Sequence, residues 1–354
     1  MREMFNYYKS KDADLTKVKD LTVSHPAEGI ICQPVAALSK NLSSAFVMEE
    51  ELKYGLKDYN DWNVTTIADR PGLYILHNIF KPESHLEWVH KAINTYCRPP
   101  NFTNINQNGS IEEGKNFNLK KLRWATLGFD YDWTAKVYPE TPRASLPDEF
   151  VYVCEKITEA LGLQKLSSDT SIVNYYPLNT RLSPHVDRSE RDYSYPLVSL
   201  SFGQSAIYVS GGASANDEPI PIMLHSGDVL VMAGAQRLVF HGVPRILKTR
   251  NFQIENDSSN FTVAEKKALL QYINDHRTGK MLKVIVFLVV ASYPFVSFGH
   301  PLMRIANTAL ASLSTIPLEM PPLGDAVPCE IDVDCRRTFN DPMTFCFEGS
   351  CIRN

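Results

Sequence analysis

A chain of 354 residues has room for one large domain with appendages or for two domains. At 44% hydrophobic and 21% charged it is globular in composition, which excludes a disordered scaffold. Its net charge of −4 excludes a general attraction to nucleic acid, so any such partner has to meet a local basic patch.

The first twenty residues, MREMFNYYKSKDADLTKVKD, are charged and polar, unlike a secretory leader. Residues 1–60 read as an N-terminal extension. Within it Met48 to Tyr59 places acidic residues before lysines, an order compatible with a helix. Next, GLYILHNIF reads as a strand, and a helix follows with Leu86, Val89, His90 and Ile93 at apolar spacing. His77 in this region reads as a packing residue. Pro99 to Lys121, rich in Asn and Gly, is expected to be a loop. It ends in the cations Lys115, Lys120, Lys121 and Arg123, close to Trp124, Phe129, Tyr131 and Trp133. Such a group suits a phosphate backbone with a base stacked on a ring, and a solvated positive face over core aromatics accounts for it equally well. Asp148 to Leu161 is an amphipathic helix with Phe150, Val153, Ile157 and Leu161 on one stripe and Gly162 as its stop.

Ser171 to Arg245 holds the candidate chemistry. His185 and Asp187 form an H-x-D pair in a turn-rich segment after the apolar run Ile172, Val173, Tyr175 and Tyr176, and His241 follows the buried-strand pattern DVLVMAG. LVSLSFG and AIYVSGG add two short strands between them, which suggests a double-sheet antiparallel fold. Two imidazoles and one carboxylate occupy one face of an octahedral ion and leave three positions open, the ligand set of non-haem Fe(II) oxygenases. His225 competes as a third ligand. Ala264 to His276 is a further helix, leading into Arg277.

Taken together, N174-Y-Y176, H185-V-D187-R-S-E190, LVSLSFGQSAIYVSGG, HSGDVLVMAG and H241-G-V-P-R245 resemble the AlkB-type Fe(II)/2-oxoglutarate dioxygenases of the homologue-1 branch, over roughly Leu52 to Arg277. The resemblance implies a mainly β, α+β fold: a double-stranded β-helix (jelly roll) with flanking helices. It further implies Fe(II), 2-oxoglutarate and O2 as cofactors and cosubstrates, and oxidative demethylation of alkylated bases in DNA or RNA, including tRNA; no obligate protein partner is evident in the sequence. It matches His185, Asp187 and His241 to the iron ligands and leaves His225 outside the pattern. Asn174 and Tyr176 match residues that bind 2-oxoglutarate. Phe129, Tyr131 and Glu190 match positions near the substrate base; Lys115, Lys120, Lys121 and Arg123 are expected at phosphates on their own account, because they cluster without a carboxylate partner. The family closes its site with a strand bearing R-x5-R; here Arg277 fits the first position and Lys283 takes the second. Lysine lacks the planar fork of arginine, so weaker cosubstrate binding is expected.

After Arg277 the composition changes. Met281 to Gly299 carries one charge, Lys283, and has the form of a secretory signal: a basic start, a short apolar core and small residues after it. As a membrane span it is marginal, which leaves membrane contact through 281–299 open. A spacer over 300–328 precedes Cys329, Cys335, Cys346 and Cys351 in 329–354. By contrast Cys32, Cys97 and Cys154 are scattered as reduced intracellular thiols would be. The four late cysteines read as a two-disulfide tail with its pairing open; zinc is second because no C-x2-C is present. From Met281 onward the chain resembles the nodule-specific cysteine-rich (late nodulin) peptides of legumes, on PCEIDVDC and FCFEGSC. The chain thus divides into an extension (1–60), a dioxygenase domain (61–280), a signal-like segment (281–299), a spacer (300–328) and a cysteine-rich peptide (329–354). The dioxygenase is expected in nucleus, cytoplasm or organelle, and the peptide alone would be secreted. The rival reading is an impaired or merged product whose complete module is that secreted peptide.

Overall fold

A computed structural model describes residues 1–22, 29–38, 52–106 and 119–274, less 133–134, 136, 167, 179, 191, 213–216 and 254–260. Of 285–291, 344–347 and 350–353 it describes the backbone. The chain forms two compact units, 1–295 and 296–354. In the second, Thr344–Phe347 and Ser350–Arg353 pair as an antiparallel hairpin. Cys329 and Cys335 lie outside the described residues.

The first unit contains helices α1 (Arg2–Lys9), α2 (Pro82–Lys91), α3 (Asp148–Ala160) and α4 (Val263–Asn274). Its strands are β1 (Lys19–Asp20), β2 (Ile30–Pro34), β3 (Asn63–Ile67), β4 (Leu73–His77), β5 (Phe102–Thr103), β6 (Trp124–Gly128) and β7 (Thr170–Tyr176). They continue with β8 (Leu182–His185), β9 (Leu197–Phe202), β10 (Ser205–Ser210), β11 (Ile220–Leu224), β12 (Val229–Met232), β13 (His241–Leu247) and β14 (Ile285–Ala291). One sheet has the order β1-β11-β10-β13-β8 and the other β2-β3-β4-β12-β9-β14-β7-β6-β5. From β7 to β14 the chain passes back and forth between the two sheets, with only β10 and β11 consecutive in one of them, the jelly-roll arrangement.

Period-two alternation divides the large sheet's side chains between two cores. Val173, Tyr175, Val198, Leu200, Phe202, Val229 and Val231 pack with α2, α3 and α4, while Tyr176, Leu197, Leu230 and Met232 join Ala206, Tyr208, Ile222, Val243 and Ile246 between the sheets. The predicted helical stripe of Phe150, Val153, Ile157 and Leu161 is buried in the outer core, as are Leu269 and Ile273 of α4. Gly162 follows α3 at φ +66°, the left-handed conformation that stops a helix.

Two expectations change. The part of Met48 to Tyr59 that is described, from Leu52 on, is not an α-helix but a turn with Tyr54 and Gly55 at positive φ. Gly55 approaches α2 so closely that a Cβ there would lie 2.1 Å from Ser84 Cβ, so close packing overrides the favourable charge order. Residues at the start of the chain are also built into the first unit: β1 pairs in parallel with β11, and Tyr8 and Val18 pack on Ile207 and Val209.

His77 bonds Thr65 Oγ1 through Nε2 at 2.7 Å, a packing role. His85 is buried on Ser226 Oγ, 2.7 Å from its Nδ1, and burial lowers its pKa from 6.5 to about 4. A histidine lowered on folding contributes stability that is complete above its unfolded pKa and lost as pH falls toward 4, roughly 2 kcal/mol at pH 5. Asp228, pushed up to about 6 by burial, opposes part of that loss by taking up a proton in the folded state. Urea denaturation at pH 7 and pH 5 should therefore show a drop in stability that His85→Gln reduces by about 2 kcal/mol. An equal drop in the variant removes His85 as the cause.

Candidate metal centre

Strand pairing brings the two histidines together. Antiparallel β8 and β13 place His185 directly opposite His241, with ring centroids 4.4 Å apart. Asp187, two residues past the end of β8, turns its carboxylate to both: Oδ1 lies 3.5 Å from His185 Nε2 and Oδ2 3.3 Å from His241 Nε2. Among the described residues this is the one group of three whose ligand atoms could hold an ion, all within 4.8 Å of one another.

Hydrogen bonding orients the rings. His185 Nδ1 lies 2.9 Å from Ser183 O and His241 Nδ1 lies 3.2 Å from Val239 O. A carbonyl accepts only, so each Nδ1 carries the proton and each Nε2 presents a lone pair, the tautomer of a metal-binding histidine. Asp187 Oδ2 is buried without a hydrogen-bond partner among the described residues. Lone pairs of two imidazoles and a carboxylate thus converge on one point, an arrangement that a divalent cation satisfies, and the residues fit Fe(II). The three groups also shift one another's charge equilibria. Burial pushes the Asp187 carboxyl up, but His185 and His241 outweigh it and hold the group well below the usual range. Burial lowers His185, and the adjacent Asp187 charge overturns that into a net raise.

His225 is elsewhere. Its Nδ1 lies 2.8 Å from Ser205 Oγ and its Nε2 3.1 Å from Asp20 Oδ1, so it links β1 to β10 within the small sheet. Asn174 and Tyr176 stand two apart on β7, an even offset that gives them one face of the large sheet; Tyr176 lies in the core between the sheets. Burial, with the Asp187 charge added, raises the Tyr176 phenol. Arg277 and Lys283 lie outside the described residues. Strand β14, IVFLVVA, has no ionisable residue, and Phe287 occupies the register position opposite Asn174.

The proposed nucleic-acid contacts fall at two ends of β6. Lys120, Lys121 and Arg123 precede the strand, whereas Phe129 and Tyr131 follow it, about 16 Å away along five strand residues. Tyr131 reaches the segment that carries Asp187, its hydroxyl 3.1 Å from Ser189 Oγ. Phe129 is buried against Tyr138. Glu190 is 8% exposed and faces Arg237, 2.9 Å away. The reading from sequence did not pick out Arg237, nor Tyr208, whose ring lies along His241 at 5.9 Å. A lone cation in the apolar run before His241 was the available signal for the first, and strand alternation in AIYVS for the second.

The comparisons with known proteins agree with this geometry. The chain is 33% identical over 270 residues to the nucleic acid dioxygenase ALKBH1 of Homo sapiens, covering 70% of this chain and 69% of that protein. It is 39% identical over 160 residues to the tRNA demethylase abh1 of Schizosaccharomyces pombe, covering 45% and 51%. With the DNA N(6)-methyladenine demethylase ALKBH1A of Arabidopsis thaliana it shares 28% identity over 254 residues, covering 59% and 73%. Residues 72–278 match the model of the 2OG-Fe(II) oxygenase superfamily, and the chain belongs to that family.

Proposed function

We propose that this protein is an Fe(II)- and 2-oxoglutarate-dependent dioxygenase that removes methyl groups from alkylated bases in DNA or RNA. The observation that carries the reading is the convergence of His185, Asp187 and His241 on one point, in a chain similar to nucleic-acid demethylases. Fe(II), 2-oxoglutarate and O2, when bound, supply the oxidation of a methyl group, and the hydroxymethyl product then loses formaldehyde. His185, Asp187 and His241 would hold the ion, and a three-residue ligand set would leave it able to take cosubstrate and O2. Asn174 and Tyr176 donate to 2-oxoglutarate from β7. Tyr131 and Ser189 line the approach to the open face, and Lys120, Lys121 and Arg123 serve phosphates farther along the nucleic acid. Arg277 and Lys283 bring positive charge to the cosubstrate carboxylate.

The test is turnover of the full chain with Fe(II), 2-oxoglutarate and O2 against an N6-methyladenine DNA oligonucleotide and a methylated tRNA. Formaldehyde and succinate released in equal amounts with one of them is the expected result. Succinate formed without formaldehyde on either sinks the substrate class.

For the C-terminal unit we propose a disulfide-bonded peptide similar to the nodule-specific cysteine-rich peptides. The register that sets Cys346 opposite Cys351 supports it, and so does the end of the family match at residue 278.

A further inference from the structure

We propose that Arg237 is the positioning residue for the third metal ligand, Asp187; the inference rests on the metal face described above. His185 and His241 are held by the pairing of β8 with β13, but Asp187 lies beyond the strand in a segment without regular structure. Arg237 reaches that segment at three points. Its Nη1 donates to the Asp187 main-chain carbonyl at 2.8 Å, and its Nη2 lies 2.9 Å from Glu190 Oε2. Its guanidinium also sits over the Tyr193 ring, 5.6 Å from the centroid. Tyr193 in turn donates its hydroxyl to the Arg188 carbonyl, closing the loop on itself.

The cation is as deep as the core: the Arg237 side chain is 3% exposed and that of Glu190 6%. Burying both members of an ion pair gives back little net stability, because desolvation costs about as much as the attraction returns. Its value here is geometric. Arg237 follows the 3-10 turn Gly234–Gln236 and stands four residues before His241, whose ring is anchored on Val239. One planar, forked cation therefore joins the segment that carries Asp187 to the segment that carries His241, and lysine cannot make three such contacts at once.

The test uses Co(II) as the probe ion on the full chain, read by isothermal titration and by the visible d–d spectrum. Arg237→Met should weaken Co(II) binding about tenfold to a hundredfold and shift the spectrum, with the far-UV circular dichroism unchanged. Arg237→Lys, which keeps the charge but not the fork, should fall between it and the wild type. Should Arg237→Met fail to fold, Arg237→Lys and Glu190→Gln replace it, each expected to lower Co(II) affinity several-fold. Wild-type affinity and spectrum in Arg237→Met, or in both milder variants, overturns the proposal. Because the readout is metal binding without substrate, the proposal can fail while the metal site, tested separately through His241, stands.

Discussion

Replacing His241 with alanine should abolish divalent-metal binding and 2-oxoglutarate turnover, whereas His225→Ala should leave both close to wild type. His241 supplies one of three inward lone pairs, and its loss leaves Asp187 Oδ2 buried with neither an ion nor the imidazole 3.3 Å away. Removing an outer partner of a ligand costs about 10–100-fold in affinity, so removing the ligand itself exceeds that range. His225 spends both ring nitrogens on Ser205 and Asp20, and its removal costs hydrogen bonds of about 1 kcal/mol each rather than a ligand. Co(II) titration and succinate release measure the two variants side by side. Retained binding in His241→Ala, or loss in His225→Ala, reverses the assignment.

A chain ending at residue 284 should not fold to a metal-binding form. Strand β14 pairs with β7 along all seven of its residues and with β9 along Val286 to Val290, so its removal opens the large sheet in the middle rather than trimming an edge. Each buried peptide group orphaned this way costs about 1–3 kcal/mol. A handful exceeds the roughly 5–15 kcal/mol by which a domain is stable. Leu288→Pro, which deletes one ladder donor at the strand's centre, should lower the melting temperature steeply in the full-length protein. A soluble 1–284 fragment that melts cooperatively and binds Co(II) like the full chain overturns this placement of β14.

Much of the site was legible because its chemistry is local in sequence. An H-x-D after one strand pattern and a histidine after another fix three ligand types, and alternation in NYY and in LVSLSF anticipates which strands flank them. Arg237 was not legible in the same way: its partners, Asp187, Glu190 and Tyr193, lie more than forty residues back, joined to it only by the fold. The segment 281–299 shows a different limit. An apolar run flanked by a lysine has the composition of a signal, and a strand with a core on each face needs the same composition. The structure uses Ile285–Ala291 as an interior strand of the large sheet. Among the described residues no helix is long and apolar enough to cross a membrane. The N-terminal residues read as an extension because Lys19–Asp20 is too short to carry a pattern and the apolar stripe of Arg2–Lys9 spans only two turns; Lys19–Asp20 pairs with the small sheet and Tyr8 of the helix packs on it.

The place of β14 also sets a timetable for synthesis. Its neighbours β7 and β9 leave the ribosome more than eighty residues before it does, and until then the centre of the sheet is a slot with two open, apolar-lined rims. A nascent chain in that state exposes the kind of edge that pairs with any passing strand, and one of the most apolar runs in the sequence is the piece still to come. The yield of native protein in a cell should therefore depend on how fast translation clears residue 291 and on chaperones that occupy the slot meanwhile.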